Sequence, residues 1–157
     1  MTVSEVAIRP AQPEDASRLH ELHTASVRTL CSGHYPADII DAWLGNRTPS
    51  GYLDAIERSG LFVAERDGRV VGFGEGAPGT VVAVYVDPAN VLQGVGTLIL
   101  RQAVALARRG HAGPIRLEAT LNARDFYERA GFREIRRSTV KRGGVDIPVV
   151  IMELDAG

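Results

Sequence analysis

A single α/β domain is the fold this sequence predicts: a mixed, mainly antiparallel sheet with one parallel pair at its centre and helices on both faces. Two kinds of connection predict it. Short turns at Arg66-Asp67-Gly68, Ala77-Pro78-Gly79 and Gly143-Gly144 join apolar, β-branched runs, and runs joined so briefly are antiparallel neighbours. Between Val86 and Ile115 stands instead an apolar-periodic stretch from Gly94 to about Arg109, long enough for a crossover helix, so Val81 to Val86 and Ile115 to Ala119 are expected to run parallel. The length, 157 residues, suits one domain over 1–157, near the common size of roughly 100 to 150.

The elements follow in order. Val6 and Ile8, before Arg9-Pro10, predict a short first strand. Pro13-Glu14-Asp15 opens a helix, with proline and acids where the first turn favours them. Leu19, Leu22, Ala25 or Ser26, Val27 and Leu30 recur at helical spacing and predict a face laid on the sheet, ending near Cys31-Ser32-Gly33. Pro36 to Leu44 forms a second helix closed by Gly45-Asn46, and a shorter third spans Gly51 to Arg58. Strands over Leu61 to Ala64, Val70 to Gly74 and Val81 to Val86 follow. Beyond the crossover helix, Gly110 to Pro114 leads into Ile115 to Ala119, and two last strands cover Arg133 to Lys141 and Ile147 to Leu154.

The chemistry concentrates at Val84-Tyr85-Val86-Asp87-Pro88 followed by Gln93-Gly94-Val95-Gly96-Thr97. A strand runs there through a glycine turn into a helix N-terminus, where unpaired N–H groups and the helix dipole hold anions and the glycines admit a close backbone approach. A Rossmann fingerprint lacks its third small residue, since Thr97, Leu98 and Ile99 follow Gly96, and a Walker loop lacks its lysine. The segment resembles instead the pyrophosphate-binding motif of the GCN5-related N-acetyltransferases (GNAT), a valine-x-proline strand end leading to R/Q-x-x-G-x-G/A. Val91 stands where that family has Arg or Gln, and Leu92 where it often has glycine; the backbone cradle is kept and one side-chain donor is lost. Leu121-Asn122-Ala123-Arg124-Asp125-Phe126-Tyr127-Glu128-Arg129-Ala130-Gly131-Phe132 is similar to the family's N-A-x-x-F-Y-x-x-x-G-F signature, with Gly131 suited to end the helix.

The resemblance implies that the parallel pair splays and that the backbone of Val84, Tyr85 and Val86 bonds the pantetheine arm of acetyl-CoA. It further implies that the turn of Leu92, Gln93, Gly94, Val95, Gly96 and Thr97 takes the pyrophosphate, with Asn122 near the thioester. The implied reaction is direct attack of a primary amine, of a small molecule or a peptide, on acetyl-CoA as co-substrate. The amine must be neutral, although a lysine-type amine titrates at about 10.4, and the leaving thiolate is helped by a donor. Tyr127 is the candidate donor. Glu75 and Glu118 are the candidate bases, with water as the alternative. Tyr35 and Trp43, in an H-Y-x-x-x-x-I-x-A-W pattern similar to one group of bacterial acetyltransferases, are candidate acceptor contacts, or else aromatics that pack helices. Two non-catalytic alternatives are an acyl-CoA-binding or sensing module of the same fold and a homodimer joined through the last strand.

Composition narrows the rest. Net charge −1 argues against an extended nucleic-acid surface, and no apolar run approaches the roughly 20 residues needed to span a bilayer, so neither nucleic acid nor membrane is an expected partner. The first residues do not read as a signal peptide, and the single Cys31 fits a reducing compartment; the expected location is cytoplasmic. His20, His23 and His34 show no metal-ligand spacing, and no metal is expected.

Overall fold

The computed structural model describes residues 5–91 and 93–157. Its seven strands form one sheet in the order β1-β2-β3-β4-β5-β7-β6. After β1 (Ala7–Pro10) come α1 (Ala16–Leu30), α2 (Ala37–Leu44) and α3 (Leu53–Glu57), then the hairpin-linked β2 (Leu61–Arg66), β3 (Arg69–Ala77) and β4 (Thr80–Val86). Helix α4 (Val95–Arg108) crosses to β5 (Ile115–Thr120), and α5 (Arg124–Arg129) precedes β6 (Arg133–Arg142) and β7 (Val145–Leu154). All pairings are antiparallel except β4 with β5. The predicted mixed sheet and its parallel central pair are therefore present.

The two faces are covered by different helices. Val95, Ile99, Leu100, Ala103 and Ala107 of α4 are buried against one face with Leu117, Val150 and Met152. Gly72, Gly74 and Gly76 let α4 lie close: a Cβ at Gly72 would stand 2.5 Å from Ile99 Cδ1, and one at Gly76 2.6 Å from the Ala103 carbonyl. On the other face α1 sinks Leu19, Leu22, His23, Ser26 and Val27, the spacing expected of a helix stripe with a histidine included. Asp15, buried ahead of α1, receives both Nη atoms of Arg9 at 2.8 and 2.9 Å and the Gln12 N–H at 2.8 Å. These bonds hold its carboxyl below the usual carboxylate range.

Two expectations change. The third helix is a five-residue turn of α-helix behind a 3-10 turn at Pro49–Tyr52. The last strand is not free to join a second chain, because β7 pairs with β5 on one side and β6 on the other. The free edges are β1 and β6, and β6 carries Arg133, Arg136, Arg137, Lys141 and Arg142, charges that oppose edge-to-edge pairing.

Candidate active site

Strands β4 and β5 separate almost as soon as they meet. Their register contains one pair, Thr80 with Arg116, so the edge of β4 toward β5 leaves its N–H and C=O groups unpaired from Val81 to Val86. The gap opens into a cleft of about 630 Å³ between α1, the start of α4 and α5. Val84, Tyr85, Val86, Gly94, Gly96, Thr97, Glu118, Asn122 and Tyr127 all line it, bringing together residues that the sequence holds up to 43 positions apart (127 minus 84).

The turn into α4 has the geometry of an anion cup. Gly94 takes the left-handed conformation with φ 81°, which favours glycine, and the first intrahelical bond is Leu98 N–H to Gly94 C=O at 3.2 Å. The amides of Val95, Gly96 and Thr97 therefore have no acceptor inside the helix. A Cβ at Gly96 would meet the Phe126 ring at 3.3 Å and Val86 at 3.5 Å, so glycine keeps this wall open. The turn is tied to α1 by Arg18, whose Nη2 donates to Asp87 at 2.6 Å, while Asp87 also accepts the Ala89 N–H at 3.0 Å. Burial opposes the Asp87 charge, but these two bonds outweigh it and lower its pKa. The side chains of the expected cup are placed differently. Val95 turns its side chain into the core, Gln93 accepts a bond from Arg66 and is exposed, and Leu92 lies outside the described residues.

Tyr127 lies on α5 between the rings of Phe126 and Phe132, at 5.1 and 5.9 Å between centroids. Burial, with Tyr85 nearby, raises its pKa well above the usual phenol range, so it holds its proton at neutral pH. Across the cleft Cys31 donates its S–H to Asn122 Oδ1 at 3.3 Å, and burial pushes the thiol up to about 11. A protonated, hydrogen-bonded thiol is no nucleophile. Ser26, Leu30, Cys31 and His34 join the lining from α1 and its end; nothing in their local sequence marks them, because only the packing of α1 over the gap brings them there.

A second cavity of about 250 Å³ opens on the α1 and α2 face, sharing Val81, Val82, Tyr85, Leu117, Glu118 and Thr120 with the larger cleft. Trp43 and Arg142 line it; the first was anticipated and the second was not, since a charged residue next to a Gly-Gly turn reads as solvated surface. Tyr85 stacks on His23 at 4.0 Å and on Phe73 at 5.4 Å, and burial carries its pKa up to about 12.

Two candidates from the sequence are corrected. Glu75 lines neither cavity: it sits on β3 opposite Leu61, its carboxylate 3.5 Å from Arg58 and its side chain 13% exposed, a strand away from the gap. Tyr35 is likewise absent from both linings. Its hydroxyl donates to Pro148 C=O at 2.5 Å and accepts the Leu121 N–H at 3.0 Å, and its ring packs on Trp43 at 5.6 Å, so both polar functions of the hydroxyl are spent on backbone. The histidines are engaged too, His20 with the Arg47 carbonyl and His23 Nδ1 with Tyr52 and Arg47. Among the described residues no three His, Cys, Asp or Glu gather as metal ligands, and no helix is long and apolar enough to cross a membrane.

A splayed strand pair over a glycine-lined helix terminus offers unpaired backbone groups and an anion cup in one cleft, and comparison with known proteins gives the family. Residues 57–134 match the Acetyltransferase (GNAT) domain. The chain is 25% identical over 142 residues to the uncharacterized N-acetyltransferase YafP of Escherichia coli, covering 90% of this chain and 91% of that one. A GCN5-related N-acetyltransferase from Rhodopseudomonas palustris superposes with TM-score 0.90 at 26% identity, covering 99% and 98% of the two chains. PaiA N-acetyltransferase from Thermoplasma acidophilum, solved with coenzyme A, gives TM-score 0.79 at 22% identity over 96% and 99%. The chain belongs to the GNAT family of acetyltransferases.

Proposed function

We propose that the protein transfers an acetyl group from acetyl-CoA to the primary amine of a small molecule or peptide by direct attack. The observation that carries this reading is the convergence, in one cleft, of the unpaired β4 edge, the free amides at the start of α4 and the protonated phenol of Tyr127. The backbone of Val84, Tyr85 and Val86 would take the pantetheine arm as an added strand, and the amides of Val95, Gly96 and Thr97 the pyrophosphate. The coenzyme bound in PaiA supports the same use of the cleft here.

In the reaction the amine nitrogen forms a bond to the thioester carbonyl carbon and the carbon–sulfur bond breaks. Tyr127 donates its proton as the thiolate leaves, and the proton lost by the amine passes to Glu118 or to water. Glu118 is exposed, lines both cavities, and has no ion-pair partner among the described residues, so its carboxylate is open to an incoming amine. Tyr127→Phe should lower kcat by about 100-fold while coenzyme A affinity by calorimetry changes less than about twofold. An unchanged kcat removes the assignment.

One observation supports a second reading. Val91 lines the cleft where the family motif has Arg or Gln, and an apolar residue there fits a module that binds acyl-CoA without turnover. Release of free thiol from acetyl-CoA in the presence of an amine panel, above the rate without amine, decides for the enzyme.

A further inference from the structure

Resting on the acetyl-transfer reading, we propose that the acceptor is a small amino carboxylate, its amine at Glu118 and its anionic group at Arg142. The smaller cavity, at about 250 Å³, lies just below the roughly 300–1,000 Å³ of drug-sized ligand sites and suits a small acceptor. Three charged side chains line it. Arg116 is already neutralised by Glu153, its Nη2 at 2.5 Å and Nε at 3.2 Å from Oε2. Glu118 and Arg142 have no ion-pair partner among the described residues, and Arg142 Nη1 donates only to the Lys141 carbonyl, at 3.0 Å. The cavity thus carries one free charge of each sign.

Their placement orders the ligand. Glu118 borders the gap shared with the coenzyme cleft, so an amine drawn to it stands on the side where the thioester would lie. Arg142 comes from the far end of β6 and lines the cavity opposite the β5 residue Glu118 in the sheet order, and its positive field reaches the buried rings of Tyr85 and His23. Arg47 adds positive field on the same two rings while bonded to His23 and Tyr52. The backbone that carries Arg142 is held in place: Gly143, with φ 58°, seats against the Ala42 carbonyl of α2 where a Cβ would overlap it. Beside it the Trp43 side chain forms part of the cavity wall and is otherwise buried. An unpaired guanidinium at one end and an unpaired carboxylate at the other together select an amine that bears an anion over a diamine.

The test measures thiol release from acetyl-CoA with α-amino acids and ω-amino carboxylates of rising chain length, each against its carboxamide and against a diamine. At least one carboxylate should exceed its carboxamide by about tenfold or more in kcat/KM, and calorimetry on the coenzyme A complex should show the same order without turnover. Arg142→Glu should reverse the order, favouring the diamine, with coenzyme A affinity retained as the check on folding. Equal or better turnover of carboxamides and diamines by the natural protein, or an order that Arg142→Glu leaves unaltered, overturns this inference alone. Thiol release that no amine raises above the amine-free rate overturns the acetyl-transfer reading and this inference with it.

Discussion

The larger cleft and the smaller cavity share the gap between β4 and β5, yet they are made of different material. The cleft presents backbone: an unpaired strand edge and the first amides of α4, with glycines at Gly94 and Gly96 where side chains would intrude. The cavity presents side chains from α2, β4, β5, β6 and β7, Trp43, Tyr85, Glu118, Arg142 and Val149 among them. A backbone site depends on conformation and tolerates many side chains; a side-chain site depends on identity and changes its ligand with each substitution. One surface therefore suits the proposed coenzyme, and the other the proposed acceptor.

Substitutions divide along the same line. Gly96→Val adds a branched side chain against Phe126 and over the free amides, and should weaken coenzyme A binding by about 100-fold or more by calorimetry, with far-UV dichroism unchanged. Retained affinity would show that the cup does not take the pyrophosphate. On the other surface Glu118→Gln should lower kcat/KM for the amine about tenfold, most at low pH where the amine is protonated, and leave coenzyme A affinity alone. If water alone accepts the proton, the two pH profiles will superimpose.

Acid should also destabilise the fold through a buried histidine stacked on Tyr85. Burial, reinforced by Arg47, His20 and Arg142, holds the His23 pKa well below its ordinary value. A depressed pKa contributes stability that is present above the unfolded value, near 6.5, and is lost as pH falls toward the folded one. Stability measured by urea unfolding should therefore fall between pH 8 and pH 5.5, and His23→Phe should flatten that slope. The smallest effect tests the correction at β3: Glu75→Gln should change kcat/KM by less than about twofold, because its partner is Arg58 and neither cavity reaches it. A tenfold loss there would place the base one strand away from the gap.

Much of the larger cleft was legible beforehand because its determinants are local. Gly94 and Gly96 follow a strand and open a helix within a dozen residues, and Phe126 and Tyr127 stand in a short motif of their own. The acceptor side was read less well. Tyr35 was weighed as a contact and proves to be a clasp between the end of α1, β7 and the residue after β5, since only the fold shows that its hydroxyl meets Pro148 and Leu121. Arg142 and the lining from α1 gave no sequence signal, and Glu75 was a candidate for its place at the end of the strand Val70 to Gly74, which does not say how far it stands from the gap between β4 and β5.

By itself the sequence determined what period, turn chemistry and short motifs encode: a mixed sheet with one crossover, a glycine-lined helix start and a tyrosine on the helix after β5. Only the tertiary structure decided that β7 inserts between β5 and β6, that β4 and β5 part after a single pair, and that Arg142 and Glu118 border one cavity. The physical reason is range. Hydrogen-bonded turns and helix termini are settled within a few residues of chain, whereas strand order and the meeting of distant charges follow from burying two apolar faces at once.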